Sequence, residues 1–282
     1  MPETPTPLPF DPVRLARLEC RRQAVGVGEI ADVAEPILGG LMCYTAPGSW
    51  TNQAMGIGLD GPADGDQVDR LIDFYVSRGQ EPRVEVCPYA DESLTALLLD
   101  RGFGIAEFEH VMVRRSDAGL GGLEKTPAGI RVRRVDASDD TDVETWVRVS
   151  SSGFLEPGSD REPVFLESSR RVARHPRTAA FIAEVDDRPV GAGAMEIADP
   201  FGDGRLACLF AASVLPEYRG RGVQQTLMAA RVRHARSEDA PFTFIHCRPG
   251  IPTERNARRL GFETLYTAAV MVMRRAGLAL SV

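Results

Sequence analysis

The sequence predicts two consecutive α/β (α+β) domains, residues 1–115 and 129–282, joined by a linker at 116–128. Three observations lead there. Short alternating apolar runs are interspersed with stretches whose apolar residues recur at helical spacing. The order of these elements repeats: each half ends with strand, helix, strand, a helix closing on Gly-Phe (Gly102-Phe103 and Gly261-Phe262), and a last strand. Between the halves, "SDAGLGGLEKTPA" is rich in Gly, Ser and Pro and has no apolar period.

In the first half, "DPVRLARLECRRQAV" is an amphipathic helix, suited to docking at the junction between the domains. "GGLMCYTA" and "QAMGIGLD" read as strands, and "GDQVDRLIDFYVSRG" as a helix with Val68, Leu71, Ile72 and Tyr75 on one face and Gly79 as its stop. "RVEVCP" is a strand, "DESLTALLLDRGF" a helix and "EFEHVMVRR" a strand. The second half opens on the alternating strand "GIRVRRV", followed by helices around Val143–Ser151 and Pro163–His175. "TAAFIAEVDDRPVGAGAMEIAD" is a hairpin about Asp186-Asp187. "RLACLFAASV" is apolar on both faces and therefore central in its sheet. A helix from Val223, the strand "FTFIHCR", the short helix "ERNARRLGF" and the strand "TAAVMVMRR" complete the chain.

Composition excludes several function classes. With 43% hydrophobic and 26% charged residues, the 282-residue chain is that of an ordinary globular protein able to bury full cores. Its net charge of -7 excludes the broad basic face of a sequence-independent nucleic-acid binder. Five scattered cysteines without CxxC spacing and four histidines without HExxH predict neither a disulfide framework nor a metal site. No apolar run is long enough to span a bilayer, and "MPETPTPLPF" is not a signal peptide, so the expectation is a cytoplasmic protein without membrane or nucleic-acid partners, monomeric or homodimeric.

The stretch that packing does not explain is "SVLPEYRGRGVQQTLM", Ser213 to Met228. A helix N-terminus exposes unpaired N–H groups and the positive end of the helix dipole, and preceding glycines let backbone approach an anion closely. In Arg219-Gly220-Arg221-Gly222-Val223-Gln224 the donors are the N–H groups of 221–224, with Arg219 or Arg221 adding charge. It is not a Walker A loop, because the Gly-Lys-Ser/Thr ending is absent. The third glycine and acidic strand end of a dinucleotide fingerprint are absent too. In isolation such a loop is a glycine turn with solvated arginines; between an apolar strand and an amphipathic helix it reads as a phosphate cradle.

"VLPEYRGRGVQQTLM" followed by "ERNARRLGF" resembles the GNAT acyltransferase superfamily, which carries Arg/Gln-x-x-Gly-x-Gly/Ala after its fourth strand. The resemblance covers most of 129–275 and, as a degraded echo, 40–115. It implies two GNAT-like domains, each a mixed, mostly antiparallel twisted sheet flanked by helices, and acetyl-CoA as cosubstrate with no metal. Its pyrophosphate would rest on Arg219, Gly220, Arg221, Gly222 and Val223, with Gln224 standing where the family has a small residue but still donating its N–H. Ser213 and Val214 fall where the family's backbone pairs with the pantetheine arm, and Asn256 in the helix flanking it. The family's general-acid tyrosine is replaced by Ala257, so Tyr266, His246, Cys247 or water must supply that proton. Glu196 and Glu156 are the candidate bases.

In the first half the equivalent of the loop, "GLDGPADGDQVDRL", has no arginine before its helix and carries Asp60, Asp64 and Asp66, which repel a pyrophosphate; residues 1–115 are expected not to bind acetyl-CoA. The function implied is N-acetyl transfer to an amine of a small molecule or protein. The alternatives are a non-catalytic acyl-CoA-binding or regulatory module, which Ala257 keeps open, and a phosphate-binding protein unrelated to CoA.

Overall fold

Four aspartates start helices in this chain. Asp11, Asp64, Asp91 and Asp139 each accept a backbone N–H of the first turn, ahead of α1 (Pro12–Ile30), α2 (Gly65–Val76), α3 (Glu92–Asp100) and α4 (Asp140–Ser151). The structure is a computed structural model and describes residues 10–120, 126–155, 158–199, 202 and 204–280. The remaining helices are α5 (Glu162–Arg174), α6 (Val223–Ser237) and α7 (Pro252–Arg259). The repeated Gly-Phe has a physical cause. Gly102 and Gly261 adopt positive φ, and the next N–H, of Phe103 or Phe262, reaches back to Leu98 O or Ala257 O. This closes α3 and α7 with the same left-handed cap and drives each phenylalanine into the core.

The first half contributes β1 (Val33–Ile37), β2 (Gly40–Tyr44), β3 (Ala54–Met55), β4 (Arg83–Val86) and β5 (Gly104–Arg115). The second contributes β6 (Arg131–Arg134), β7 (Thr178–Val185), β8 (Arg188–Ala198), β9 (Leu206–Val214), β10 (Phe242–Cys247) and β11 (Glu263–Val272). Among the described residues these form one mixed sheet in the order β1-β2-β3-β4-β11-β5-β10-β9-β8-β7-β6. Only β3/β4 and β9/β10 are parallel, each pair enclosing a helix, α2 or α6. The mixed, mostly antiparallel sheet flanked by helices is the fold class the sequence implied. Its centre was not foreseen: β11 lies between β4 and β5, and β5 between β11 and β10. Each half thus receives the last strand of the other. β1 was also missed, because Glu35 and Pro36 break the apolar pattern; Pro36 is tolerated because β1 is an edge strand. α2 ends at Val76, three residues before Gly79.

Helices α2, α3, α6 and α7 cover one face of the sheet, and α1, α4 and α5 the other. The α6 face packs Leu227, Met228 and Val232 against Leu209, Ile245 and Phe262. On the opposite face α1 crosses the join, setting Leu15, Leu18 and Cys20 against Phe244 and Cys208 of the second half and Val111 and Cys87 of the first. Each such buried apolar side chain contributes about 1.5–3 kcal/mol.

The strand β9 carries a bulge. Ala192 pairs with Ser213 but Ala194 with Phe210, and Ala211 takes a positive φ. Both faces brace it. Ser150 donates to Ala211 O at 3.2 Å and Trp146 Nε1 to the facing Gly193 O at 3.2 Å. Arg231, fully buried on α6, donates to Ala194 O and Phe210 O at 2.9 and 3.1 Å. Burial lowers Arg231 to about 10, which still leaves it charged at neutral pH. Gly193 is needed here, since a Cβ would sit 2.9 Å from the guanidinium carbon. Arg231→Met leaves these carbonyls buried without their donor and is expected to cost about 2–4 kcal/mol in urea unfolding. An unchanged midpoint would show that the bulge stands unaided.

Candidate active site

The bulge matters because of what β9 does next. Parallel pairing of β9 with β10 runs from Leu206/Phe242 to Leu209/Ile245 and stops, while β9 continues to Val214. Beyond that point the strands part. On the side of the gap the backbone of Ala212–Val214 meets no strand among the described residues, and an extended ligand segment entering there would find main-chain partners. Ser213 is buried, its hydroxyl 3.2 Å from that of Ser152, and Gly153 is required for that approach, because a Cβ there would lie 2.6 Å from Ser213 Oγ.

After β9 the chain makes a short turn, Pro216–Tyr218, and enters the loop ahead of α6. Gly220 and Gly222 have φ of 75° and 83°, and a Cβ on either would meet nothing within 4 Å, so both face open space. Gly222 is the residue capping α6; no side chain caps the helix and no acidic residue occupies its first turn. The N–H groups of Val223, Gln224 and Gln225 and the positive end of the dipole are therefore unneutralised. Arg219 is exposed and donates to Val214 O at 3.1 Å; exposed Arg221 stands 5.2 Å from the ring centre of Tyr218. The Gln224 side chain is turned away, donating to Thr253 Oγ1 at 3.0 Å and accepting from Asn256 at 2.6 Å. Asn256 thereby ties α7 to the first turn of α6.

The equivalent position in the first half differs. Asp64 caps α2 with its own carboxylate, and Asp60 lies 2.5 Å from Arg21. Gly58 N–H bonds Leu38 O, and Gly58 O accepts from Asp91 N–H, so this backbone is spent on the chain itself.

Ionisable groups meet on the α1 face just where β9 and β10 separate. His246 Nε2 lies 2.9 Å from Glu19 Oε1 and its Nδ1 4.0 Å from Glu109 Oε2. Phe210, next after the last paired residue of β9, packs against the core beneath α4. Glu19 is fully buried and also held by Arg22, which bonds Glu196 as well. Burial raises the carboxyl of Glu19, but the charge of Arg22 and the hydrogen bonds from His246 and Arg22 outweigh it and hold Glu19 at about 2. Burial lowers His246, yet the bond to Glu19 and the charges of Glu19, Glu109 and Glu85 leave it raised.

Of the candidates read from sequence, Ser213 and Val214 lie on β9 beyond its pairing with β10, Arg219, Gly220, Arg221, Gly222, Val223 and Gln224 form the turn into α6, Asn256 reaches Gln224 from α7, and His246 follows the last residue of β10 paired with β9. Tyr266 is in the core, its hydroxyl 3.2 Å from Cys20 Sγ, and burial pushes it well above the usual tyrosine range. Glu196 is buried with both oxygens engaged by Arg22 and Arg177. Cys247 is buried on the α6 face and burial raises it to about 11. Glu156 lies outside the described residues. Sequence reasoning missed Glu19, Arg22, Glu85 and Glu109, which carry no local motif. No metal spacing is present, but the fold brings together N, O and S atoms of Glu19, Cys208 and His246, and of Glu85, Glu109 and His246, to within 4.8 Å in each group. A separate cavity of about 240 Å³ lies at the far end of α6, lined by Arg134, Arg177, Arg205 and His234, away from the loop.

A parallel strand pair that separates over a bulge, followed by an uncapped glycine turn into a helix, defines an acyltransferase fold of the GNAT type. Residues 142–262 match the acetyltransferase (GNAT) family. Solved structures agree in fold. A GCN5-related N-acetyltransferase from Kribbella flavida aligns with a TM-score of 0.69 at 17% identity, over 95% of this chain and 97% of its own. A GNAT-family acetyltransferase from Novosphingobium aromaticivorans gives 0.55 at 14% identity, over 91% and 97%. A conserved protein of unknown function from Staphylococcus epidermidis gives 0.59 at 15%, over 80% and 86%. None of the curated proteins matches the chain in sequence.

The Glu19–His246 pair sets a pH dependence. Glu19 is depressed in the fold, so its contribution is present above the unfolded carboxyl range and is lost as pH falls toward about 2. His246 is raised, so its contribution is complete below the unfolded imidazole value and is lost as pH rises through the folded one. Glu19→Gln is expected to cost about 3 kcal/mol near neutral pH and to lower the midpoint of the His246 imidazole signal in an NMR titration. A midpoint unmoved by the substitution would show that the pair is not coupled.

Proposed function

We propose that the protein is an acetyl-CoA-dependent N-acetyltransferase that acetylates an amine of a small molecule or protein. The observation that carries this reading is the uncapped start of α6 behind Gly220 and Gly222, continuous with the part of β9, Ala212–Val214, that has no β10 partner among the described residues. The amides of the α6 first turn would hold the pyrophosphate, with Arg219 and Arg221 adding charge from the rim. The pantetheine arm would lie along Ala212–Val214, bringing the thioester to the point where β9 and β10 part. There the acceptor nitrogen would attack the carbonyl, and main-chain N–H groups of β9 would stabilise the developing oxyanion.

His246 is the base in this reading. Glu196 and Tyr266 are committed to other partners, whereas among the described residues Nδ1 of His246 has no hydrogen bond, at the edge of the gap. The N-terminal half would not take a second coenzyme, since Asp64 already occupies the start of α2. A non-catalytic acyl-CoA-binding module is the second reading. It is favoured by Ala257, buried where the family has its acid, and by the burial of Tyr266.

Thiol release from acetyl-CoA with a panel of amines separates the two. Turnover that falls about 100-fold or more in His246→Ala, with coenzyme binding retained, is the expected result; binding without turnover across the panel supports the module. Gly222→Asp places a carboxylate and a strained φ at the cradle. In wild type, coenzyme at a hundred times its Kd should raise stability by roughly 2.7 kcal/mol, and the variant should lose that gain. A variant that keeps it would remove the loop from the site.

A further inference from the structure

The five cysteines are scattered along the sequence, but the fold brings two of them together. Gln23 of α1 donates to Glu85 of β4 at 2.8 Å, which fixes how that helix lies over that strand. One turn back along α1 from Gln23 is Cys20; two residues on from Glu85, just past the end of β4, is Cys87. Three helix residues advance about 4.5 Å and two strand residues about 6.7 Å, so the two side chains fall opposite each other. Both belong to one buried cluster with Tyr266 and Val111. Tyr266 brackets the pair. Its hydroxyl lies 3.2 Å from Cys20 Sγ, and its ring meets edge-on that of Tyr89, two residues after Cys87, at 6.4 Å. Within this frame the Cys20 thiol hydrogen-bonds the Cys87 sulfur.

That contact makes the pair unequal. The hydrogen bond from Cys20, the N–H of Tyr89 and the charge of Arg17 outweigh burial and hold the Cys87 thiol below its ordinary range. The same hydrogen bond, together with burial, pushes Cys20 well above it. The thiolate is the form that reacts with oxidants. Elsewhere burial raises Cys43 to about 12, Cys247 to about 11 and Cys208 well above the usual range. Cys87 is also near the surface, with exposed Pro88 and half-buried Tyr89 and Ala90 directly after it. We propose that Cys20 and Cys87 are a dithiol that a peroxide closes to a disulfide, a redox modification site tying α1 to the end of β4. Cys20 directly follows Glu19, whose carboxylate meets His246, so the cross-link fixes the turn of α1 that faces the imidazole.

The oxidant is hydrogen peroxide or another hydroperoxide. The Cys87 thiolate attacks one peroxide oxygen, the O–O bond breaks, and the leaving hydroxide takes up the proton the thiol gave, as water. Cys87 is then a sulfenic acid. The Cys20 sulfur attacks the Cys87 sulfur, the S–O bond breaks, and the hydroxide that leaves takes the Cys20 proton as a second water. Two thiols are oxidised to one disulfide, and one hydrogen peroxide is reduced to two waters.

The test exposes the full chain, folded and fully reduced, to hydrogen peroxide, then alkylates it in urea and maps its peptides by mass spectrometry without reductant. One disulfide should appear, between the peptides carrying Cys20 and Cys87, with Cys43, Cys208 and Cys247 alkylated. Dithiothreitol should return all five cysteines to alkylation. In Cys20→Ser the oxidation should stop at a Cys87 sulfenic acid, captured by dimedone. In Cys87→Ser the oxidation of Cys20 should slow about tenfold or more. The wild-type map needs no variant, so it decides the matter even where a substitution unfolds the chain. A folded wild type that keeps all five thiols, a disulfide between other cysteines, or a Cys20–Cys87 link that forms only when peroxide is added in urea would overturn the proposal. So would a Cys87→Ser chain in which Cys20 is oxidised as fast as in wild type.

Discussion

The antiparallel pairing of β5 with β11 is the constraint on which the rest of the molecule depends. It runs from Glu263/Val113 to Val272/Gly104, at the middle of the sheet, and each strand is the last of its own half. On its outer side β5 pairs with β10 and β11 with β4, so each half is closed by a strand from the other. Withdrawing either half would leave the other with an open apolar edge. The exchange also decides what lies near the gap between β9 and β10. Because β5 is the direct neighbour of β10, Glu109 and Val111 of the first half stand beside His246, and α1 can reach the same spot from above.

Seen from α1, the join is held by charge as much as by packing. Arg22 bonds Glu19 of its own helix and Glu196 of β8; Arg177 extends the chain from Glu196 to Glu29 near the end of α1. Buried ion pairs of this kind add little net stability over apolar packing, but losing one member is expensive, so they fix orientation more than affinity. Here the orientation fixed is that of Glu19 against the imidazole at the mouth of the gap. A side chain from near residue 20 thereby sets the electrostatics of one near residue 246.

That separation explains what was and was not legible in the sequence. The uncapped glycine turn could be read because its features lie in consecutive residues: two glycines, flanking arginines and the start of a helix, all within Arg219–Gln224. The Gly-Phe helix ends could be read for the same reason, each being one local cap. The ionic cluster could not, since Glu19, Glu85, Glu109 and His246 are joined only by pairing between distant strands. Tyr266 shows the same limit in reverse. Alternation places it on a strand, but the partner that faces it, Cys20, depends on where α1 docks. The exchange of β5 and β11 was invisible because either strand satisfies the same apolar pattern in its own half or in the other.

The two parallel pairs carry this to its physical end. β3–α2–β4 and β9–α6–β10 share one topology, yet only one can open. In the second, β9 has nine residues and runs five beyond its pairing with β10, and the glycine before α6 leaves its amides free. In the first, β3 has two residues and pairs with β4 at the single position Ala54/Val84. The segment that would line a gap instead bonds Leu38 and Asp91, and an aspartate fills the helix start. A carboxylate already at that N-terminus opposes a further anion there, whereas the first turn of α6 carries none. What the first half retains is its negative charge, and the strand exchange aims part of it, Glu85 and Glu109, across the join at the imidazole of the second.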